Sequence, residues 1–597
     1  MAIQTICDIF YRSVDTFRKT EHLKSKKDGA WRAVSSEELR AAVEETSMGL
    51  RALGVGKGDT VALLSENRPE WAIADLATLC AGAADATIYA TLTAPQVQYI
   101  LADSESKVVF VSSAAQARKV AEVRHDLPLL QHVVRFDPDP VPGSTSLDEL
   151  RAKGKEALAA DREAVRRRAA EVTGGDLATL IYTSGTTGDP KGVMLTHANL
   201  LHNVLAAEKL FPMVNEEWTA LSFLPLCHSF ERTAGHNFML HRGVTIAYAE
   251  SVEKVPENMG EVRPHIMCSV PRLYEKMYAR VNEKVAADPP LRQKIFRWAI
   301  GVGRETFAHA VARTEPGPLL KLKFALADKL VFSKIKARTG GRLQLFISGG
   351  APLAREIAEF FGAAGMLVCE GYGLSETSPV ITCNFPGRVK PGTVGLPLEH
   401  VEVRIAADGE ILTRGPHVMK GYFRKPEATA EAIEKDGWFH TGDIGFVDAD
   451  GCLVITDRKK DIIVTSGGKN IAPQPIENRL KTSKFVAEVV MIGNKRNFAA
   501  ALVVPAFEAL EAWAKERGLV ALSREDLVRL PEVVRHYEGL VEQMTADLAQ
   551  FERIKKIALV AREFTQESGE LTPTLKVKRR VVEERYKAMI DAMYAGS

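Results

Sequence analysis

Residues 181–192 read IYTSGTTGDPKG, and no other stretch limits the local fold as tightly. Thr183, Ser184 and Thr186 crowd around Gly185, Thr187 and Gly188 follow, and the single cation is Lys191. Glycine lets backbone N–H groups approach an anion, hydroxyls donate to its oxygens, and lysine supplies charge, so the pattern points to phosphate. The flanks exclude the common nucleotide loop, which needs Gly-Lys-Ser/Thr with a helix opening directly after it. Here Pro190 precedes Lys191 and Gly192 follows it. "LATLIYT" (177–183) upstream and Val193, Met194 and Leu195 downstream are apolar and strand-like. The spacing predicts a loop between two strands, with Lys191 on its far side. Taken alone, such a loop is equally a Gly/Thr-rich hairpin without a ligand.

The rest of the chain decides between these. With 597 residues it exceeds one hydrophobic core, so several lobes are expected. A 46% hydrophobic and 26% charged composition fits a soluble globular protein, and a net charge of +2 gives no global field for nucleic acid. The opening "MAIQTICDIFYRSVDTFRKT" has no signal-type apolar core, and the apolar run 76–90 is broken by Asp85. Cys7, Cys80, Cys227, Cys268, Cys369, Cys383 and Cys452 form no CxxC pair, which leaves neither a zinc site nor a disulfide framework. A reducing cytoplasm is the default compartment.

Residues 36–56 read as a helix capped by Ser36 and ended near Gly54; 59–67 reads as a strand and "PEWAIADLATLCAGA" as a helix. Residues 107–113 form another strand, and the Pro-rich 137–146 a surface connection. The alternation argues for an α/β chain with a mainly parallel sheet. After "LQLFISGG" (343–350) the pattern repeats: strand, glycine turn, the helix "LAREIAEFFGAAG" and the strand "MLVCEGYG". From about 392 the texture shifts to short strands, with hairpin signals at Asp408-Gly409 and Asp450-Gly451. The last part of the chain forms a smaller unit with strands "VAEVVMIG" and "NFAAALVVP" and several helices.

The glycine loop has companions. "GYGLSETSP" (371–379) places Ser375 and Glu376 just past a strand end, and "GWFHTGDIG" (437–445) puts Asp443 in a glycine turn. "TDRKKDIIVTSGGKNIAP" (456–473) carries Arg458 and a Gly-Gly-Lys loop, and "ELTPTLKVKRR" (570–580) offers Lys576. This order resembles the acyl-adenylate-forming, AMP-binding superfamily over nearly the whole chain. "LSFLPLCHSFERTAG" (221–235), "VPRLYEKMY" (270–278), "ISGGAPL" (347–353) and "LTPTLKVKRR" are similar to its long-chain fatty acyl-CoA synthetase branch.

The resemblance implies a large N-terminal domain, 1–457, of two packed α/β sheets plus a distorted β-barrel. A small mobile α+β domain, 458–597, follows a hinge at Lys460. It implies ATP-dependent activation of a medium- to long-chain fatty acid to acyl-AMP, then transfer to CoA. Thr183, Ser184, Gly185, Thr186, Thr187 and Lys191 would hold the β- and γ-phosphates. Ser375, where the family usually has threonine, would meet the α-phosphate, and Glu376 would carry Mg²⁺. Tyr372 would stack on adenine against Gly350 and Ala351, with Asp443 and Arg458 on the ribose. Lys576 is the catalytic candidate, although Leu575 stands where most of the superfamily has glycine. His228 would sit near the carboxylate and the acyl pocket. Gly467, Gly468 and Lys469 would lie on the CoA path, replacing Lys576 after a rotation of the small domain.

Two alternatives carry less. An acyl-AMP ligase would load a carrier protein instead of CoA. A nonenzymatic nucleotide binder has no use for Lys576, Glu376 and Asp443 together. An apolar acyl tunnel is expected, drawing on segments such as 236–248. Residues 291–340 hold eleven Lys/Arg against three Asp/Glu, a balance of +8, interspersed with Ile295, Phe296, Trp298, Phe324 and Leu330. That pattern suits reversible contact with anionic membranes, at the inner face of the cell membrane. No oligomeric state follows from the sequence.

Overall fold

Alternating apolar strands and amphipathic helices assemble into two large, mainly parallel sheets, seen in a computed structural model that describes residues 3–183, 189–565, 567–572 and 576–595. The first sheet has eight strands in the order Gly421–Tyr422, Lys191–Thr196, Leu177–Thr183, Ala84–Ile88, Thr60–Leu64, Val108–Val111, His132–Arg135 and Thr145–Ser146. Its strands are parallel from Leu177–Thr183 to the far edge, where Val, Ile and Leu side chains are covered on both faces. The glycine loop joins the antiparallel pair Leu177–Thr183 and Lys191–Thr196, in which Thr183 faces Lys191. Strands thus flank this segment on both sides, as the sequence predicts.

The second sheet has nine strands, six of them parallel through its centre, from Leu23–Lys27 across to Leu367–Gly373. Glycine turns at the carboxyl ends of Leu345–Ser348 and Leu367–Gly373 open toward one cavity. A four-stranded antiparallel sheet of Glu402–Ile405, Glu410–Arg414, Phe439–Val447 and Leu453–Arg458 occupies the place expected for the barrel. Its hairpins turn at Gly409 and Gly451, with φ of +86° and +81°. Asp443 departs from expectation here. It lies within the strand Phe439–Val447, paired with Arg458, rather than in a turn. Gly442, at φ +70°, and a bulge after Ile444 bend the strand without ending it.

A second correction is local. Ser35, not Ser36, caps the helix Ser36–Ala52. Ser36 is the first helical residue, and only Ser35 has an acid three residues on. Its Oγ accepts from the Glu38 N–H at 3.2 Å while the Glu38 carboxylate accepts from its own N–H at 2.7 Å.

The crossover between the parallel neighbours Thr219–Ser222 and Thr245–Tyr248 ties the two large sheets together. It winds as a π-helix over Glu231–Asn237 and then as α-helix over Phe238–His241. Arg232, fully buried, donates to Asp85 on a strand of the eight-stranded sheet at 2.8 Å and to Asp75 on the helix Pro69–Cys80. Thr179 Oγ1 donates to the same Asp85 at 2.7 Å. The charge that breaks the apolar run 76–90 is thus one arm of a buried clamp.

From Ile463 onward the apolar residues build their own core around the three-stranded sheet of Val486–Ile492, Ala499–Pro505 and Ile554–Leu559. All seven cysteines are buried and unbridged. Among the described residues no helix is long and apolar enough to cross a membrane.

Candidate active site

A cavity of about 3040 Å³ is lined by both large sheets, the four-stranded sheet and the C-terminal unit. Thr183, Lys191, His228, Gly350, Ala351, Tyr372, Ser375, Glu376, Asp443, Arg458, Lys460 and Lys576 all line it. Ser184, Gly185, Thr186 and Thr187 lie outside the described residues.

The polar floor is built from strand residues, Asp443 within Phe439–Val447 and Tyr372 and Arg458 near the ends of theirs. Cross-strand pairing puts Arg458 Nε 3.3 Å from Asp443 Oδ1, and the Tyr372 hydroxyl donates to Asp443 Oδ2 at 2.7 Å. Burial pushes the Asp443 carboxyl up, against the opposing pull of Arg458 and Tyr372. Each oxygen keeps a second lone pair, so the carboxylate can still accept from a diol. Gly350, at φ +82°, needs the left-handed region that glycine adopts freely, and this turns the chain across the cavity wall near Tyr372.

Lys576 reaches the same floor from the C-terminal unit. Burial, and then the positive Arg458, push its ammonium down to about 8, while Asp443 and Glu376 pull the other way. Its N–H donates to Thr572 Oγ1 at 3.0 Å, which fixes the backbone that carries it. His228 is held by the turn before the π-helix, and its Nδ1 accepts from the Phe230 N–H at 3.2 Å. Burial, and then the Lys576 charge, push its imidazole down to about 3. The ring is therefore neutral at working pH and carries its proton on Nε2, where it can donate.

Glu376 sits in the one-turn 3₁₀ segment Ser375–Thr377 past the strand Leu367–Gly373. Burial raises its carboxyl above the ordinary value, and hydrogen bonds from its own backbone and from Tyr422 oppose this. No cluster of three or more His, Cys, Asp or Glu that could hold a metal exists among the described residues. A single carboxylate still fits magnesium, which keeps waters and takes few protein ligands when phosphates supply the rest.

Two lining residues escape a reading of the sequence. The Tyr422 hydroxyl donates to Glu376 Oε1 at 2.9 Å while Lys191 Nζ lies 4.9 Å from the centre of its ring. Tyr422 reaches there because the strand Gly421–Tyr422 pairs with Lys191–Thr196. Glu370 accepts from the Leu353 N–H at 3.0 Å and is pushed up to about 8 by burial, which makes it a neutral acid in the wall.

The lining also includes the apolar Phe211, Phe230, Ala234 and Phe238, and a mixed stretch in which Leu273, Met277, Val281 and Phe296 alternate with charged residues such as Arg272, Glu275, Lys276 and Arg280. Of the segment 236–248, Phe238 alone lines the cavity. The remainder is spent on the crossover helix and a central strand, whose faces are used up by the core. Gly467, Gly468 and Lys469 do not join the cavity either. They form the exposed turn of the hairpin Ile463–Val464 and Asn470–Ile471, where Lys469 lies 5.8 Å from the Phe551 ring.

Residues 10–423 match the family model of AMP-binding enzymes, and 460–597 match that of the AMP-binding enzyme C-terminal domain. The chain is 38% identical over 569 residues to the long-chain-fatty-acid–CoA ligase FadD15 of Mycobacterium bovis, covering 95% of this chain and 93% of that one. It is 33% identical to fatty acyl-CoA synthetase A of Dictyostelium discoideum, covering 96% and 88%. The fold matches a crystal structure of an anthranilate CoA ligase with anthranoyl-AMP at a TM-score of 0.74, with 20% identity and 99% of both chains covered. It matches the adenylation domain of a carboxylate reductase from Mycobacterium chelonae at 0.75, with 22% identity, covering 99% of this chain and 91% of that one.

Proposed function

The chain belongs to the AMP-binding enzymes, in the long-chain fatty acyl-CoA synthetase branch, and we propose from that premise that its cavity activates a medium- to long-chain fatty acid with ATP and passes it to CoA. The observation that carries this reading is the meeting of Lys576, Arg458, Asp443, Glu376 and His228 in one cavity, within electrostatic reach of one another.

In the first step a carboxylate oxygen of the fatty acid attacks the α-phosphorus of ATP. The O–P bond forms, the bond to the bridging oxygen of the β-phosphate breaks, and pyrophosphate leaves. Positioning and charge neutralisation dominate such a step. Lys576 takes the charge that builds on the α-phosphate, and the His228 Nε2–H orients the attacking carboxylate. Asp443 and Arg458 hold the ribose, and Tyr372 stacks on adenine against Gly350 and Ala351. Ser375 donates to the α-phosphate. Thr183, Lys191 and the loop between them, Ser184–Thr187 included, hold the β- and γ-phosphates. Glu376 would hold magnesium, which would supply positive charge against the pyrophosphate. In the second step the CoA sulfur attacks the acyl carbon, the thiol proton passes to solvent, and the C–O bond to AMP breaks.

The unit 458–597 turns between these steps about Lys460, withdrawing Lys576 and bringing Gly467, Gly468 and Lys469 to the CoA path. Its separate core and the start of its family match at 460 support that boundary. The same reading places the protein in the cytoplasm, meeting the inner membrane face through 291–340. Fatty-acid-dependent exchange of pyrophosphate into ATP, followed by thioester formation on adding CoA, tests the proposal. Exchange that palmitate does not stimulate, or that acetate stimulates equally well, would overturn it.

A further inference from the structure

The helix Pro473–Leu480 of the C-terminal unit has no side-chain cap of its own. Ala472 precedes it and Pro473 opens it without an N–H, so the Gln474 amide is the first donor of the helix. Its acceptor comes from the other side of the hinge. Asp457, 1% exposed on the strand Leu453–Arg458, takes the Gln474 N–H on Oδ2 at 3.1 Å and the Arg458 N–H on Oδ1 at 2.6 Å. Burial pushes this carboxyl up to about 6, and the two N–H bonds oppose that. The same helix then reaches toward the floor. Glu477 Oε1 accepts from Arg579 Nη2 and from the Met491 N–H, both at 2.7 Å, and Arg579 Nη1 donates to the Met491 carbonyl at 2.6 Å. Arg579 lies three residues past Lys576, and Gln474, Glu477, Lys576 and Arg579 all line the cavity.

We propose that Asp457 is the latch that seats the C-terminal unit and, through Glu477 and Arg579, positions Lys576 in the cavity. It acts as a positioning residue, holding the helix that holds the arginine beside Lys576. A helix N-terminus carries partial positive charge and unpaired N–H groups, and a buried carboxylate complements both. Within this relay only Asp457 lies on the large unit's side of Lys460. Gln474, Glu477, Met491 and Arg579 travel with Lys576 when the unit turns. The bond from Gln474 to Asp457 is therefore the link of the relay that a turn must break. Ala472 has no acceptor in its side chain to replace it, so leaving the seat hands the first amide to water. That the seat serves adenylation rests on the ligase reading above; the latch itself does not.

Each half-reaction proceeds in proportion to the share of molecules in its pose, so the ratio of thioester formation to pyrophosphate exchange follows the equilibrium between poses. In the full-length protein, Asp457→Ala should raise that ratio roughly 3- to 30-fold, the range for losing a helix cap. Asp457→Asn, which keeps an acceptor, should raise it less. Adding Ala472→Asp to Asp457→Ala gives the helix a cap within its own unit. The double variant should regain thermal stability and keep the raised ratio, whereas a merely structural role makes both return to wild type. An unchanged ratio, equal losses in both steps, or a ratio restored by Ala472→Asp overturns the proposal. If Asp457→Ala does not fold, Asp457→Asn decides. Nitroxides on Lys155→Cys and Lys555→Cys, both exposed, read the seat without chemistry, since all seven native cysteines are buried. Asp457→Ala should lower the share of label pairs at the wild-type distance, and an unmoved distribution overturns the latch. A wild type without fatty-acid-dependent exchange refutes the ligase reading, and the label distances then decide the latch alone.

Discussion

Tyr422 links Glu376 to Lys191 in the cavity lining, and no feature of the sequence announces it. A tyrosine in "GYF" carries no signal. Its place follows from the pairing of a two-residue strand with the strand that begins at Lys191. Lys576, Glu376, Asp443 and Arg458 were named from the order of the motifs that carry them, and the fold brings all four to one cavity. The hydroxyl of Tyr422 favours the ionised form of Glu376, whose burial works against ionisation. Tyr422→Phe should therefore raise the magnesium concentration for half-maximal activity about 3- to 10-fold, and more at pH 6 than at pH 8, since protons then compete with the metal. Titration of adenylation rate against magnesium at the two pH values checks this; an unchanged requirement rejects the link. Lys576 gives a second test. Its pKa is lowered to about 8, so the ammonium is present below that pH and lost above it. The kcat/KM for ATP in the adenylation step should fall as pH rises through about 8. His228, at about 3, should add no acid limb near 6.5. A rate that stays flat to pH 10 contradicts the role given to Lys576.

The crossover from Ser222 to Thr245 shows what local patterning conveys and what it leaves out. The hairpin turns at Gly409 and Gly451 follow from turn chemistry and the helix start from capping, one residue off, whereas the strands expected at 59–67 and 107–113 are shorter, Thr60–Leu64 and Val108–Val111. The π-helix at 231–237 follows from neither, because its cause is tertiary. Gly235 leaves room for the Glu231 carboxyl, which a Cβ there would meet at 2.5 Å, and Arg232 is pulled toward Asp75 and Asp85. Both Glu231 oxygens are buried without a hydrogen bond of ordinary geometry, and burial pushes this carboxyl up to about 8 against the opposing pull of Ser222. A carboxyl raised in the folded state is ionised more readily in the unfolded chain. Stability is therefore intact below about 4.5 and is lost as pH climbs toward 8. Glu231→Gln should stabilise the protein by about 1–3 kcal/mol at pH 8 and by almost nothing at pH 4.5. Urea unfolding at both values checks it, and an equal effect at both would refute the neutral-acid assignment. Arg232→Ala leaves two buried carboxylates unpaired and should cost about 3–5 kcal/mol in the same assay. A loss under 1 kcal/mol would show that the clamp does not hold the sheets together.

On the scale of the whole molecule, the division into a large and a small unit was readable from the change in texture and the order of motifs. The seating of one unit on the other was not, because it depends on side chains far apart in sequence. In this arrangement Lys576 enters the cavity while Gly467, Gly468 and Lys469 stand outside it. The small unit brings one of its two candidate elements to the cavity, the arrangement that the proposed first half-reaction would need. If the unit turns about Lys460 between steps, fixing φ there should hinder the turn. Lys460→Pro should slow thioester formation from supplied acyl-AMP by about tenfold or more and leave pyrophosphate exchange within about twofold. The most direct measurement times both half-reactions of Lys576→Ala separately, by pyrophosphate exchange and by consumption of synthetic acyl-AMP with CoA. The account predicts that exchange falls by roughly 10²–10³-fold while thioester formation stays near the wild-type rate. Equal losses in the two steps would contradict it.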